Sequence, residues 1–385
     1  MREMQQRIRI VHVVYSFSIG GLENVIVQLI NRLPAERYEH VIVSMTTISD
    51  FRNRVTQPGV QYIALNKPPG HAVALYPKIF RLLRKLQPAV IHTCSLAGLE
   101  VMPIACLARV PFRVHAEHGW DMRDPGGTNR RLRFIRRLYR PFVHHYVAVS
   151  QDISDYQTRE IGIPAKRLSL IPNGVDTERF FPTTGARVFA QGYPFHAADQ
   201  WIVGTIGRLQ PVKNQVSLAR AFIRLLQKYP SAVARARLII VGDGGLRAAI
   251  EQTLAQGEAL KYAWLPGARD DIPEVLRMLD CFVLPSHAEG TSCTLQEAMA
   301  CGLPVIATAV GGTPMLVEEG ITGYLLQPDD DEALADKMWH YMNNPQIAKN
   351  HGVTARQRAV ANFGIDSLVD SYDHLFSRRS NNAVI

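Results

Sequence analysis

The sequence predicts an α/β protein with two doubly wound domains, each built on a parallel sheet. The chain has 385 residues, which is more than a single hydrophobic core usually organises. Short apolar runs alternate with helical patterns, as in open parallel sheets, and the series restarts at Trp201 after a stretch of weak pattern. We therefore predict domains at residues 1–182 and 201–362, a linker at 183–200, and a final helix with its tail at 363–385.

Composition limits the functional classes. The chain is 47% hydrophobic and 20% charged, which is ordinary for a soluble globular protein, and its formal net charge of +9 indicates anionic partners such as nucleotides or lipid surfaces. The five cysteines lack the spacing of a metal or disulfide framework, so we expect reduced thiols and a cytoplasmic location. No apolar run is long enough to predict a membrane span.

The first half contains a glycine pair at a strand-to-helix turn. Gly20 and Gly21 stand between a strand and a helix, where the backbone can approach a ligand closely, although an ordinary turn explains one such pair equally well. His118 follows the strand at 112–117, so it lies at the same carboxyl edge of the sheet as the glycine pair. The predicted strands are 8–15, 39–45, 60–65, 89–93, 112–117 and 145–150, and the helices are 22–33, 72–86, one ending at 109, and 151–161.

The second half repeats the alternation. Arg208 and Lys213 flank the loop after its first strand, so their cationic groups can converge on one phosphate, although each alone is more often surface decoration. Gly242 and Gly244 follow its second strand. The predicted strands are 202–206, 237–241, 262–265, 281–284 and 305–307, and the helices include 213–229, 271–279, 294–302, 330–343, 346–362 and 366–376.

Two carboxylates lie around the strand at 281–284. Glu289 is in the loop that follows it, and Glu297 is in the first turn of a helix that we expect to begin near Thr294. Locally, Glu297 can complete a capping box with Thr294, and Glu289 can be a solvated loop charge. The local sequence alone favours these structural interpretations.

A longer resemblance changes that balance. The string EGTSCTLQEAMACGLPVIATAVGG resembles the E-x7-E signature of family 4 glycosyltransferases, and GRLxxxKN from residue 207 and PNGVDTERF from residue 172 resemble other segments of that family. The resemblance implies the GT-B architecture, with two facing Rossmann-like domains, an interdomain cleft and a final helix that returns to the first domain. The strings IGGLENVIVQLINRLP and PNGVDTERF, together with an arginine-rich segment at 129–141, further resemble sugar transferases of bacterial exopolysaccharide loci, the PEP-CTERM/exosortase-associated group.

The resemblance also implies a reaction, the retaining transfer of a sugar from a nucleotide diphosphate donor. It implies that Arg208 and Lys213 hold the diphosphate. Glu289 would contact the sugar hydroxyls or face the reacting carbon, and Glu297 would bind the ribose. His118 would contact the sugar or a phosphate, without acting as a general base.

Several backbone positions complete the expected donor site. The resemblance implies that the diphosphate or sugar lies near Gly20 and Gly21 and the N–H groups of Thr294 and Leu295, and the nucleotide near Gly242, Gly244 and Pro266. Because cationic side chains can stabilise the leaving diphosphate, we expect no metal and no cofactor besides the donor. The acidic run at 329–331 is interpreted as a helix cap and turn.

Residues 129–141 hold six arginines between Arg130 and Arg140, interleaved with apolar residues. As a helix, this segment would carry one apolar and one cationic stripe, which fits an anionic membrane surface and a lipid-linked acceptor. A solvated helix face remains open, as does an RNA-binding stripe, although no accompanying RNA-binding motif is present and we expect no nucleic-acid partner.

Three other functions share this architecture or its ligand. A nucleotide-sugar epimerase would isomerise the donor without an acceptor, and a phosphorylase would depend on inorganic phosphate. A noncatalytic protein would bind the nucleotide sugar without turnover. The combined motifs favour the transferase over all three.

Overall fold

The computed structural model describes residues 7–120, 124, 126–195 and 199–377. The chain forms two compact units, one of residues 1–173 with 365–385 and the other of residues 174–364. The stretch 183–200, which we expected to be a linker, lies within the second unit, because Ala190 and Tyr193 are buried in that unit's hydrophobic core. The domain limits that we predicted, 182 and 362, therefore differ from the limits of the two compact units, which are 173 and 364.

The first unit is built on a seven-stranded parallel sheet. Its strands run in the spatial order β3-β2-β1-β4-β5-β6-β7, so the chain starts in the middle and winds outward in both directions. The strands are Ile8–Val14 (β1), Tyr38–Ser44 (β2), Gln61–Ala64 (β3), Val90–Cys94 (β4), Phe112–Glu117 (β5), His145–Ala148 (β6) and Leu168–Leu170 (β7).

Helices cover this sheet, and two of them differ from the prediction. The helix expected at 72–86 begins only at Tyr76, after a 3-10 turn at Val73–Leu75. The single helix expected to end at 109 is two short ones, because Pro103 lacks an N–H and can occupy only a first helical turn. The helices are Gly21–Arg32 (α1), Tyr76–Leu86 (α2), Ser95–Leu99 (α3), Met102–Leu107 (α4), Arg130–Tyr139 (α5) and Gln151–Tyr156 (α6).

The second unit has a six-stranded parallel sheet in the order β10-β9-β8-β11-β12-β13. Its strands are Trp201–Ile206 (β8), Ala236–Val241 (β9), Ala263–Gly267 (β10), Cys281–Leu284 (β11), Val305–Thr308 (β12) and Gly323–Leu326 (β13). The predicted class of two doubly wound, Rossmann-like domains is confirmed. The sequence pattern missed the short edge strands β7 and β13.

The helices of the second unit lie between these strands and after them. They are Gln215–Lys228 (α7), Ala232–Arg235 (α8), Arg247–Gln256 (α9), Ile272–Met278 (α10), Cys293–Ala300 (α11), Thr313–Leu316 (α12), Asp331–Asn343 (α13) and Pro345–Phe363 (α14). All five cysteines are free thiols. Within the described part of the chain, no helix is long and apolar enough to cross a membrane.

The last helix, Ile365–Ser377 (α15), belongs to the first unit. Its Asp373 accepts hydrogen bonds from Tyr38 and Arg37, and its buried Phe376 lies edge-on to the His12 ring, with centroids 6.4 Å apart. The apolar side of α15 thereby closes over the strands that begin the first sheet.

Three buried histidines lie on adjacent strands of the first sheet. His12 on β1 contacts His92 on β4 (Nδ1 to Nδ1, 3.1 Å) and His40 on β2 (Nε2 to Nδ1, 3.0 Å). Burial lowers the pKa of His40 to about 4 and that of His92 to about 3, and it lowers the pKa of His12 well below 6.5. All three rings are therefore neutral at pH 7, which lets each serve as both donor and acceptor.

Acid should destabilise the first domain through these rings. The pKa values of the three rings are lower in the folded than in the unfolded state, so unfolding takes up protons below pH 6.5. The unfolding free energy that the neutral rings contribute above pH 6.5 is therefore lost as the pH falls. Each ring should cost about 1.4 kcal/mol per pH unit until its own folded pKa is reached. Hydrogen exchange of the first sheet, corrected for intrinsic rates, should accelerate between pH 7 and 5.5.

The control is a pair of matched substitutions. His40→Asn keeps a polar atom near Nδ1 but cannot titrate. It should therefore reduce the pH dependence of the unfolding free energy by the contribution of one histidine ring. Ser367→Asn, at an exposed position on α15, changes no titratable group and should leave it unchanged. Equal pH dependence in both variants would contradict the assignment.

Candidate functional site

An ion pair joins two loops at the carboxyl edge of the second sheet. Lys213, between β8 and α7, donates to both carboxylate oxygens of Glu289, with Nζ 2.7 Å from Oε1 and 2.9 Å from Oε2. Ser286 donates to the same Oε1 at 2.6 Å. Glu289 is 7% exposed, so a carboxylate that we interpreted locally as a solvated loop charge is in fact buried and paired.

A second set of contacts fixes the turn that carries Lys213. Asn214 has a left-handed backbone (φ 51°), and its side chain donates to Asp329 at 3.0 Å. Asp329 also contacts His287 at 2.9 Å, and the His287 N–H donates to the Val212 carbonyl at 2.8 Å. The loops after β8 and β11 are therefore bound to each other and to Asp329, two residues before the start of α13.

Glycines allow the backbones of neighbouring loops to touch. A Cβ atom at Gly311 (φ 52°) would lie 1.9 Å from the Glu289 carbonyl oxygen, and one at Gly242 (φ 136°) would lie 1.9 Å from that of Gly207. A Cβ at Gly244 would lie 2.4 Å from the Leu209 carbonyl oxygen. Because these neighbours are backbone atoms, no other residue fits without moving a loop.

The helix after Glu289 begins earlier than predicted. Ser292 is its N-cap, with Oγ accepting from the Leu295 N–H at 3.4 Å, so Thr294 is the second helical residue. Glu297 therefore lies beyond the first turn, and the expected capping box with Thr294 is wrong. The Leu295 N–H, predicted to face the diphosphate, is engaged by this cap.

The remaining predicted residues of the second domain lie on neighbouring strand ends. Arg208 follows β8 and is exposed, and its carbonyl accepts from Gln215 at 2.9 Å. Pro266, expected in a loop, lies inside β10 and is half-buried. It falls where the register against β9 shifts, since proline cannot donate to the ladder.

In the first domain, the glycine turn leads directly into α1. Gly20 is the N-cap in extended conformation, and Gly21 is the first helical residue. A Cβ at Gly20 would lie 2.1 Å from a carboxylate oxygen of Glu23. Because that carboxylate ends a flexible side chain, Gly20 is less tightly constrained than Gly242 or Gly311, and a carboxylate of the chain itself lies at this helix start.

His118 lies beyond β5 in a shielded setting. Both of its ring nitrogens are shielded from solvent, and the Asn173 side chain bonds to one of them. Burial lowers its pKa to about 4, and nearby Glu117 and Asn173 counter this only in part. Burial works to raise the pKa of Glu117, but Arg136 at 3.1 Å and His115 at 3.5 Å outweigh it and lower that pKa to about 2.

Several residues of the site escaped the sequence interpretation. Ser286, His287 and Asn214 support Lys213 and Glu289. Ser286 and His287 lie outside the strings that carried the family resemblance. Asn214 lies inside one of them, but no role was predicted for it. Asp330 caps α13 through the Ala333 N–H at 2.9 Å, as the acidic run predicted. Only the contacts of Asp329 show that this run also supports the site.

Family comparisons cover most of the chain. A model described as Glycosyltransferase Family 4 matches residues 19–179, and one described as Glycosyl transferases group 1 matches residues 200–344. The chain is 25% identical to UDP-Gal:alpha-D-GlcNAc-diphosphoundecaprenol alpha-1,3-galactosyltransferase of Escherichia coli, over 98% of each protein. It is 27% identical to N-acetyl-alpha-D-glucosaminyl L-malate synthase of Bacillus anthracis, over 93% of this chain and 94% of that protein.

Solved structures agree on the fold. A structure of HepE from Anabaena with UDP and glucose superposes with a TM-score of 0.81 at 21% identity, covering 96% of this chain and all of that one. A glycosyltransferase from Rickettsia africae gives a TM-score of 0.80 at 17% identity, with coverage of 98% and 100%. With its two Rossmann-like domains and matches to both family models, the chain belongs to the family 4 glycosyltransferases of GT-B type.

Proposed function

We propose that this glycosyltransferase moves a sugar, with retention of configuration, from a nucleoside diphosphate sugar to a saccharide or lipid-linked acceptor. The observation that carries the proposal is the Lys213–Glu289 pair, held at the carboxyl edge of a parallel sheet, where such folds bind ligands. The names of the relatives support the substrate classes, since the E. coli enzyme's name states a UDP-sugar donor and a lipid-linked acceptor. The name of Bacillus subtilis EpsF, 26% identical over 77% of this chain and 78% of that protein, is that of a putative glycosyltransferase.

The chemistry requires positive charge at the leaving group. As the glycosidic bond breaks, negative charge builds on the diphosphate, and cations fixed in advance stabilise it without reorganising. Lys213 is held in place by Glu289, and the exposed guanidinium of Arg208 lies on the same loop. These side chains supply the charge that a metal ion provides in other transferases, so the proposed reaction is metal-independent.

The pairing of Glu289 also bears on how configuration is retained. Its Oε1 accepts from both Lys213 and Ser286, and its Oε2 accepts from Lys213. A carboxylate engaged at both oxygens is a weak nucleophile. We therefore favour front-face attack, in which a diphosphate oxygen takes the acceptor proton, with Glu289 positioning the donor sugar and Glu297 the ribose.

Remaining members of the proposed donor site are backbone positions. We propose that Gly20 and Gly21 in the first domain, and Gly242 and Gly244 in the second, allow the donor to approach the main chain. The first turn of α11, which contains Thr294 and Leu295, adds a positive dipole end toward the diphosphate. Pro266 is proposed to lie by the nucleobase and His118 by the sugar.

A screen of the purified protein against nucleotide sugars tests the function. One donor should raise the melting temperature, and adding saccharide or lipid-linked acceptors should then give a glycoside with the donor's anomeric configuration. Isomer formed without acceptor would instead show an epimerase, dependence on inorganic phosphate a phosphorylase, and binding without any product a noncatalytic protein.

The ion pair can be tested separately for stability and activity. Lys213→Met leaves the Glu289 carboxylate buried without its cation, so the second domain should lose about 1–3 kcal/mol of unfolding free energy. Adding Glu289→Gln removes the buried charge and should restore part of that loss. Turnover should fall roughly 10²–10³-fold in the single variant and stay low in the double variant, because the cation is still missing.

An exposed lysine of α7 serves as the matched control. Lys228 pairs with Glu332 and Asp336 on the surface. Lys228→Met should change turnover little. Normal turnover in Lys213→Met, or activity that recovers together with stability in the double variant, would remove Lys213 from the mechanism.

We also propose that α5 contacts an anionic membrane surface, which would bring the enzyme to a lipid-linked acceptor. Phe134 and Leu138, 66% and 56% exposed, lie one turn apart on its outer face, close in sequence to the exposed Arg130 and Arg131. Apolar side chains among outward arginines suit the headgroup region of a bilayer. An exopolysaccharide or other surface glycan is the corresponding product class.

Vesicle binding tests this surface. Arg133 and Arg137 bond to Glu160, so they are poor probes of lipid binding. Arg130→Gln with Arg131→Gln should weaken co-sedimentation with anionic vesicles roughly tenfold or more. The same two changes at exposed Arg81 and Arg84 of α2 should have little effect. Equal effects of the two pairs would indicate unspecific attraction by net charge.

A further inference from the structure

We propose that the first domain contains a zinc site formed by His92, Cys94 and one ring nitrogen of His118. The three side chains come from β4 and from the segment after β5, and their ligand atoms all lie within 4.8 Å of one another. None of the resemblances described above assigns a metal to this group. The site lies at the carboxyl edge of the first sheet, below the turn that begins α1.

The geometry is close to what tetrahedral zinc needs. Ligand atoms at Zn–S and Zn–N distances of about 2.3 and 2.0–2.1 Å are about 3.6 Å apart in a tetrahedron. The Nε2 atom of His92 is 3.8 Å from Sγ of Cys94, so these two need almost no adjustment. With three protein ligands, the fourth coordination position stays open to water or to an anionic ligand.

His118 gives an independent indication of a ligand. Both of its ring nitrogens are shielded from solvent, and Asn173 bonds to only one of them, so the other lacks a partner in the described part of the chain. A buried polar atom without a partner is costly and uncommon in native proteins. Coordination of one nitrogen by a metal ion would remove much of that cost.

The buried histidines supply the outer contacts that metal ligands usually have. A ligating histidine normally donates its other N–H to a fixed acceptor. If Nε2 of His92 binds the metal, its Nδ1–H donates to His12 at 3.1 Å, and the Nε2–H of His12 then donates to His40 at 3.0 Å. One assignment of tautomers therefore satisfies both contacts of His12 and leaves the Nε2 lone pair of His92 directed at the site.

The surrounding charge is also suitable. Zinc binding displaces the Cys94 thiol proton to solvent, which leaves one net positive charge on the metal, its thiolate and two neutral imidazoles. The carboxylates of Glu23 and Glu117 are near enough to act on Cys94, where they add to the effect of burial in raising the thiol pKa. The same two carboxylates would offset the charge of the bound metal.

Cobalt substitution in the full-length protein, without donor, tests the site directly. One Co²⁺ per chain should produce a thiolate-to-metal charge-transfer band. Cys94→Ser should abolish the band and weaken zinc binding by at least about 10-fold, since changes around metal ligands typically cost 10–100-fold. Cys281→Ser is the matched control, because Cys281 is equally buried on a strand of the second domain.

Two outcomes would overturn the site. One is the absence of a thiolate band in the parent protein. The other is its persistence in Cys94→Ser, which would assign the metal to the less buried Cys106 or Cys293. If circular dichroism shows that Cys94→Ser does not fold, His118→Gln is the second test. In that variant the thiolate band should remain while the ligand-field bands shift. Unchanged spectra would exclude His118 as a ligand.

A consequence for activity rests on the proposed function. Because His118 is also proposed to contact the donor, zinc and donor should compete, and Cys94→Ser should raise the half-inhibitory zinc concentration at least about 10-fold. Zinc binding without inhibition would keep the metal site and remove His118 from donor binding. A failed donor screen would leave the cobalt experiment unaffected.

Discussion

The buried carboxylate of Glu289 is the constraint on which the second domain's site depends. A carboxylate that is 7% exposed must be paired, and its partners, Lys213 and Ser286, come from two different loops. The backbone of Gly311 then passes so close to the Glu289 carbonyl that a Cβ atom would not fit. Three strand-end loops are thus fixed around one charge, and Lys213 is positioned before any ligand arrives.

That arrangement gives the pair a dual role. In the free protein, Glu289 neutralises Lys213 and prevents an uncompensated charge at the sheet edge. The Lys213 ammonium group donates to both oxygens of Glu289, so on the proposed function its third hydrogen would be donated to the diphosphate while the pair stays intact. On the proposed function, stability and catalysis would then both draw on one interaction.

The first domain also buries polar side chains in a row of three, but these are neutral rather than charged. Its sheet places His12, His40 and His92 side by side, and burial keeps all three neutral. A neutral imidazole is both donor and acceptor, so one ring can satisfy the next across strands. Beyond His92 in this series, Cys94 and His118 lie close together, and these three side chains are the ligands of the proposed metal site.

The sequence could predict what depends on local pattern and could not predict what depends on strand order. β11 and β12 were predicted because buried parallel strands are continuous apolar runs, whereas β7 and β13, with three and four residues at sheet edges, carry too little pattern. Asn214 and Asp329 are 115 residues apart, and His12 and His92 are 80 apart. These contacts exist only because the sheet orders are β8-β11-β12-β13 and β2-β1-β4.

The arginine-rich helix shows the same limit for charge. Its composition predicted separate apolar and cationic stripes, but Arg136 points inward to the buried Glu117, while Phe134 and Leu138 point outward. Glu117 has to be neutralised, and a neighbouring helix is the nearest source of a cation. One arginine is therefore used for the fold, and apolar area remains on the outside. The proposed contact with lipid therefore rests on the position of Phe134 and Leu138, which lie one turn apart beside outward arginines, and not on a separate apolar stripe.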